Sequence, residues 1–78
     1  MEERIKKEIA YLEMELDDHQ QRRDRLVSEL KGDIQTYTDY QVVTFLPGKI
    51  KDIAYERQKI SEISDQIRML RHLLANAG

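Results

Sequence analysis

Apolar residues recur through both halves of this chain at alternating steps of three and four, and this spacing restricts the fold more than any other feature. In the first half the series consists of Ile5, Ile9, Leu12, Leu16, Leu26 and Leu30, with His19 and Arg23 completing it. In the second half it consists of Ile53, Ile60, Ile63, Ile67, Leu70 and Leu74, with Glu56 as the polar member. Such spacing is the seam of a coiled coil, in which positions a and d of each heptad face another helix. The sequence therefore predicts an all-α fold.

Two long helices are predicted within one helical-hairpin domain, residues 1–78. The first covers about residues 2–31, because no Gly or Pro interrupts it before Gly32, and glycine suits the position just after a helix end. The second covers about residues 49–76, since Pro47 is tolerated in a first helical turn.

The segment between the helices, residues 32–48, is rich in Thr, Tyr, Val and Phe, which favour strand over helix. It is also longer than most helix–helix connections in bundles. We expect a long irregular connector that caps the end of the hairpin with Val42, Phe45 and Leu46. The alternative is a short extended segment that pairs with its twin in a dimer.

The two seams also predict how the helices face each other. In an antiparallel hairpin the numbers of facing residues sum to a constant, and a value of about 79 pairs Ile5 with Leu74 and Arg23 with Glu56. The Arg23–Glu56 pair would fix this register, because a slipped hairpin would bury each charge against aliphatic side chains. Alternatively, both side chains extend out of the seam into water. A parallel dimer of nearly straight chains, with the connector as a hinge, also remains open.

The length of the chain, 78 residues, leaves little room for a core, and domains this small usually need disulfides, a metal or a partner subunit. Cysteine is absent, and His19 and His72 lie too far apart in sequence for a helical metal-binding pair. We therefore predict no metal and no cofactor. Self-association remains, and we expect a homo-oligomer, most simply a dimer that forms a four-helix assembly.

Charge and hydropathy narrow the functional classes. The 13 Lys and Arg residues against 15 Asp and Glu residues, with a pI near 5.6, argue against a general affinity for DNA or RNA. No apolar run approaches the roughly 18 residues that a membrane span needs. We expect a cytoplasmic protein.

Apolar side chains that lie off the seam are candidate contacts for a partner protein. Four of them fall at the end of the hairpin far from the connector: Tyr11 and Met14 in the first helix, Met69 and Leu73 in the second. Within the connector, Tyr37 and Tyr40 are the aromatic pair that we expect to be exposed and available for binding.

The sequence lacks patterns typical of catalysis, since it has no Cys nucleophile, no Gly-rich phosphate loop and no recognisable Ser–His spacing. It predicts a small non-enzymatic protein-interaction module, an adaptor, chaperone-like or inhibitory subunit that acts through a self-associating hairpin. One alternative is a nucleic-acid-associated regulator that uses the basic run containing Arg22 and Arg25. A second is a small-molecule-binding bundle whose polar pocket is lined by His19, Arg23 and Glu56.

Overall fold

The computed structural model describes residues 1–76, which form two α-helices. Helix α1 spans Glu2–Thr36 and helix α2 spans Asp39–Asn76, so that only Tyr37 and Thr38 connect them. Contacts between the helices run in opposite chain order on each: Glu13 meets Arg71, His19 meets Glu56, and Asp33 meets Lys49. The helices are therefore antiparallel, and the molecule is a rod 59 Å long.

The predicted all-α hairpin is confirmed. The predicted domain, residues 1–78, includes Ala77 and Gly78, which lie outside the described residues. Over residues 1–76, neither helix holds an apolar stretch long enough to cross a membrane.

The core lies in the half of the hairpin away from the turn, which we call the far half (residues 1–18 and 57–76). Its buried centre consists of Ile9, Leu12, Ile63 and Ile67, and the half-buried Ile5, Leu16, Leu70 and Leu74 pack against it. All eight belong to the predicted seam, so the membership of this part of the core is confirmed. Which of the eight face one another in pairs stays a prediction.

The other half, residues 20–55, is the turn half, and its seam is open. Within this range, all of which the structure describes, no side chain is buried. The seam residues Leu26, Leu30 and Ile53 are half-buried, and so is Leu46, which lies one heptad before Ile53. One chain alone therefore buries its seam more completely in the far half than in the turn half.

The predicted long connector, residues 32–48, is wrong. Helix α1 continues through Gly32 to Thr36, and the amide of Tyr37 closes it by donating to the carbonyl of Asp33 at 2.8 Å. Gly32 does not adopt a positive φ and is an ordinary helical residue. Glycine lowers helix stability by only about 1 kcal/mol relative to alanine, too little to end a helix that packs against a partner.

Helix α2 begins ten residues before the predicted start because Thr38 and Gln41 form a capping box. The amide of Thr38 donates to Gln41 Oε1 at 2.9 Å, and the amide of Gln41 donates to Thr38 Oγ1 at 3.3 Å. The first helical hydrogen bond follows, from the amide of Val42 to the carbonyl of Thr38 at 2.9 Å. These contacts satisfy amides that a helix start otherwise leaves without partners.

Pro47 lies in the third turn of α2 rather than in the first. Its ring nitrogen carries no proton, so the carbonyl of Val43 loses its usual helical partner. Both residues are exposed, Val43 by 76%, and water can reach this side of the helix. Helix α2 therefore continues past Pro47, because the missing hydrogen bond lies on the side of the helix that faces water.

Candidate interaction surfaces

A polar pair interrupts the seam between the two halves of the hairpin. His19 Nδ1 contacts a carboxylate oxygen of Glu56, and the two side chains are only 14% and 9% exposed. The predicted pairing of Arg23 with Glu56 is wrong. Arg23 instead contacts Asp24 on its own helix at 3.0 Å, with a side chain 34% exposed. A long guanidinium side chain can reach water from a narrow seam, whereas the short imidazole stays within it.

A shallow depression of about 350 Å³ adjoins this pair. His19 lines it, together with Glu15, Tyr55, Lys59, Glu62, Ile63 and Gln66. Of the three residues predicted to line a small-molecule pocket, only His19 takes part. Binding pockets are usually lined by apolar side chains with a few polar groups, and this depression has the opposite balance.

Asp33 and Lys49 tie the helices together beside the turn. Their side chains are in direct contact and about one quarter exposed. The hydrogen bond from Lys49 holds the pKa of the Asp33 carboxyl below its usual 3.8. The same bond raises the pKa of Lys49 above its usual 10.5. This contact favours both charged forms and fixes the orientation of the helices at the turn.

The two tyrosines expected to be an exposed pair lie in different environments. Tyr37 is half-buried, and its ring packs against that of Phe45 with centroids 6.1 Å apart. Tyr40 is 76% exposed. Of the residues expected to cap the hairpin, Val42 and Leu46 are half-buried, whereas Phe45 is 50% exposed. Tyr37 therefore contributes to the packing of the turn, and only Tyr40 is freely accessible.

The four apolar residues predicted to form a contact at the far end are all exposed. They are Tyr11, Met14, Met69 and Leu73, and we call them the far-end patch. The neighbouring carboxylate of Glu15 raises the pKa of Tyr11. The side chains are available to a partner, and their role as a binding surface stays a prediction.

A second apolar surface, which the sequence prediction missed, lies in the turn half. Arg71 Nη2 donates to Glu13 Oε1 at 2.5 Å, so these two residues lie on the same side of the seam. The residues that follow each of them at intervals of seven form two rows along that side. Every seventh residue from Glu13 toward the turn gives Gln20, Val27 and Ile34; every seventh from Arg71 gives Ser64, Arg57, Ile50 and Val43. The rows are polar from Glu13 to Gln20 and from Arg71 to Arg57, and they are apolar from there to the turn.

We call the four apolar members of these rows, Val27, Ile34, Val43 and Ile50, the turn-half face. Val27 is half-buried, whereas Ile34, Val43 and Ile50 are 54%, 76% and 52% exposed. A groove of about 220 Å³ crosses this side of the hairpin, lined by Leu30, Ile50, Ile53, Ala54 and Arg57. The face therefore continues directly into the open seam.

The signal for the turn-half face was present in the sequence as Ile50 beside the seam. A connector over residues 32–48 hides this surface, because it places Ile34 and Val43 outside the helical pattern. Extending both helices to the two-residue turn restores the two rows.

The basic run in α1 lies on the surface. Arg22 and Arg25 are exposed and line a shallow depression of about 370 Å³ with Asp18 and Gln21. The carboxylate of Asp18 shares this depression, and it would repel a phosphate group. The surroundings therefore weigh against the nucleic-acid alternative.

Comparisons of this chain with protein-family models, curated proteins and solved structures found no match.

Proposed function

We propose that this protein is a small non-enzymatic protein-interaction module that binds through its turn-half face. The observation that supports the proposal is the contrast between the two halves of one rod. The far half has a buried core, whereas the turn half has a half-buried seam flanked by the exposed Ile34, Val43 and Ile50. An adaptor, a chaperone-like protein or an inhibitory subunit would all use such a surface.

The apolar area left exposed is large enough to matter energetically. Burying a Val or Ile side chain completely stabilises a complex by about 1.5–3 kcal/mol. The exposed fractions of Ile34, Val43 and Ile50 together correspond to nearly two whole side chains. Covering them would contribute about 3–5 kcal/mol per hairpin, before the cost of association and the further burial of the seam are included.

The shape of the surface favours a helical partner. Two antiparallel helices with apolar residues along a shared flank form a groove into which a third helix can pack. An apolar face at heptad spacing is the surface that four-helix bundles bury at their centre.

The proposal is tested by placing charges on this face while leaving the seam intact. The double substitution Val43→Glu with Ile50→Glu adds two carboxylates to the face. The matched control, Met14→Glu with Met69→Glu, adds the same charge to the far-end patch. Circular dichroism establishes that both variants remain helical.

Each variant is then compared with the natural chain by light scattering and by affinity capture from the native cell. We expect the turn-half variant to lose association with its own copies and with captured proteins, and the far-end variant to retain both. Loss of association only in the far-end variant would refute the proposal and identify the far-end patch as the contact surface.

A further inference from the structure

We propose that a second copy of this chain covers the turn-half face, with the turn half of one hairpin packed against the turn half of the other. This inference depends on the proposed function, because it names the partner of the same surface. It places two hairpins side by side and makes a four-helix segment out of the two turn halves.

The distribution of apolar residues along the two flanking rows determines the overlap. The apolar members lie in the turn half, and the far half of the same side carries the Glu13–Arg71 contact together with Ser64. If two hairpins overlapped along their whole length with turns at opposite ends, each apolar face would lie against this charged region. Covering the charged Glu13 and Arg71 with aliphatic side chains removes water from both, so that arrangement is disfavoured. Packing turn half on turn half brings apolar rows together on both copies.

A two-fold axis makes this contact self-complementary. In an isologous dimer each surface meets its own copy, so one apolar face is sufficient to build the interface. With the axis along the rod, α1 of one hairpin faces α2 of the other. Every helix then has antiparallel neighbours, the arrangement found in up-and-down four-helix bundles.

The size of the face suits a reversible dimer. The rod is 59 Å long, so its turn half is about 30 Å long, and two adjacent helices are roughly 20 Å wide. The footprint is therefore roughly 600 Å² per copy, or about 1,200 Å² in total, which lies at the lower limit of specific interfaces. We expect a dimer that dissociates on dilution.

The arrangement can be measured with a single spin label, because the chain contains no cysteine to compete with an introduced one. Lys31 is exposed and lies in the turn half, beside the proposed contact. Labelling Lys31→Cys and measuring the distance between labels in the dimer by pulsed electron paramagnetic resonance reports the overlap directly.

If the two turn halves pack against each other, the two spin labels are separated across the bundle and not along it. We then expect a distance between the labels below about 30 Å. In a full-length overlap with opposed turns, the labels also lie about 35 Å apart along the rod, which gives a distance above about 40 Å. The distance signal should disappear in the Val43→Glu, Ile50→Glu background and persist with Met14→Glu, Met69→Glu.

A dimer with labels more than about 40 Å apart would overturn this inference and leave the proposed function intact. The inference would also be overturned, and the proposed function left intact, if the chain stays monomeric at every concentration while the turn-half variant still loses a captured protein. Loss of neither self-association nor a captured partner in that variant would overturn both.

Discussion

The contact between His19 and Glu56 provides a sharp test of the seam. We expect His19→Leu and Glu56→Leu to be destabilising singly, and neutral or stabilising when combined. The side chains of His19 and Glu56 are 14% and 9% exposed, and they contact each other within the seam. Replacing one partner leaves the other buried without a hydrogen bond, whereas replacing both extends the leucine and isoleucine seam.

The magnitudes follow from the burial of the pair. Removing His19 leaves the carboxyl group of Glu56 buried without a hydrogen bond, which costs at least about 1–3 kcal/mol. Removing the carboxylate and leaving an imidazole without its partner costs about 1–3 kcal/mol. The double replacement by apolar residues falls between neutral and about 4 kcal/mol more stable. The expected coupling between the two positions is therefore several kcal/mol.

Urea denaturation followed by circular dichroism at one fixed chain concentration measures these free energies, since association also changes apparent stability. The matched control is Arg23→Leu combined with Glu56→Leu, because Arg23 pairs with Asp24 instead. We expect the Arg23 and Glu56 effects to add within about 0.5 kcal/mol. Additive effects of the His19 and Glu56 substitutions would refute the paired structure, even if both single variants are unstable.

Two further predictions concern the turn half. Because Lys49 lowers the folded-state pKa of Asp33 below its usual 3.8, the contact stabilises the fold above about pH 4 and is lost as pH falls through the folded pKa. Asp33→Asn should therefore lower the melting temperature more at neutral pH than at pH 2, whereas the exposed control Asp52→Asn should change it little at either; an equal loss at both pH values would contradict the assignment. Gly32→Ala should raise stability by about 0.5–1 kcal/mol in urea titrations, because Gly32 is helical and an added Cβ meets nothing within 4 Å. Destabilisation would instead indicate a helix end with positive φ at this residue.

The seam could be predicted from sequence because burial imposes one spacing on both helices. Ile9 and Leu12 in α1, and Ile63 and Ile67 in α2, are buried where the alternation of three and four places them. Spacing depends only on the helical period, so it identifies these residues without knowledge of the turn.

The sequence does not predict the turn correctly, because three weak local signals together resemble one strong helix break. Strand-favouring residues, Gly32 and Pro47 each disfavour a helix by small or local amounts, and packing overrides such propensities. The stronger signal was the Thr38-x-x-Gln41 pattern, whose hydrogen bonds start α2.

Seam spacing does not identify the partner of Glu56, for a different reason. Seam spacing names the residues that point inward, but it does not say which side chains can bend toward each other between neighbouring layers. His19 and Arg23 were both candidates, and side-chain length decided between them, because only the shorter one stays inside.

The position of the His19–Glu56 pair connects the stability of the hairpin to its proposed role. The pair lies between the far half, whose core is buried within one chain, and the turn half, whose seam is open. A slip of one helix along the other would separate the pair and leave both polar groups facing aliphatic side chains, at a cost that the small core cannot offset. The same slip would move Val43 and Ile50 of α2 away from Val27 and Ile34 of α1. By fixing the register at the middle of the rod, the polar pair keeps the two halves of the turn-half face aligned as one surface, which is the condition for a second hairpin to bind it.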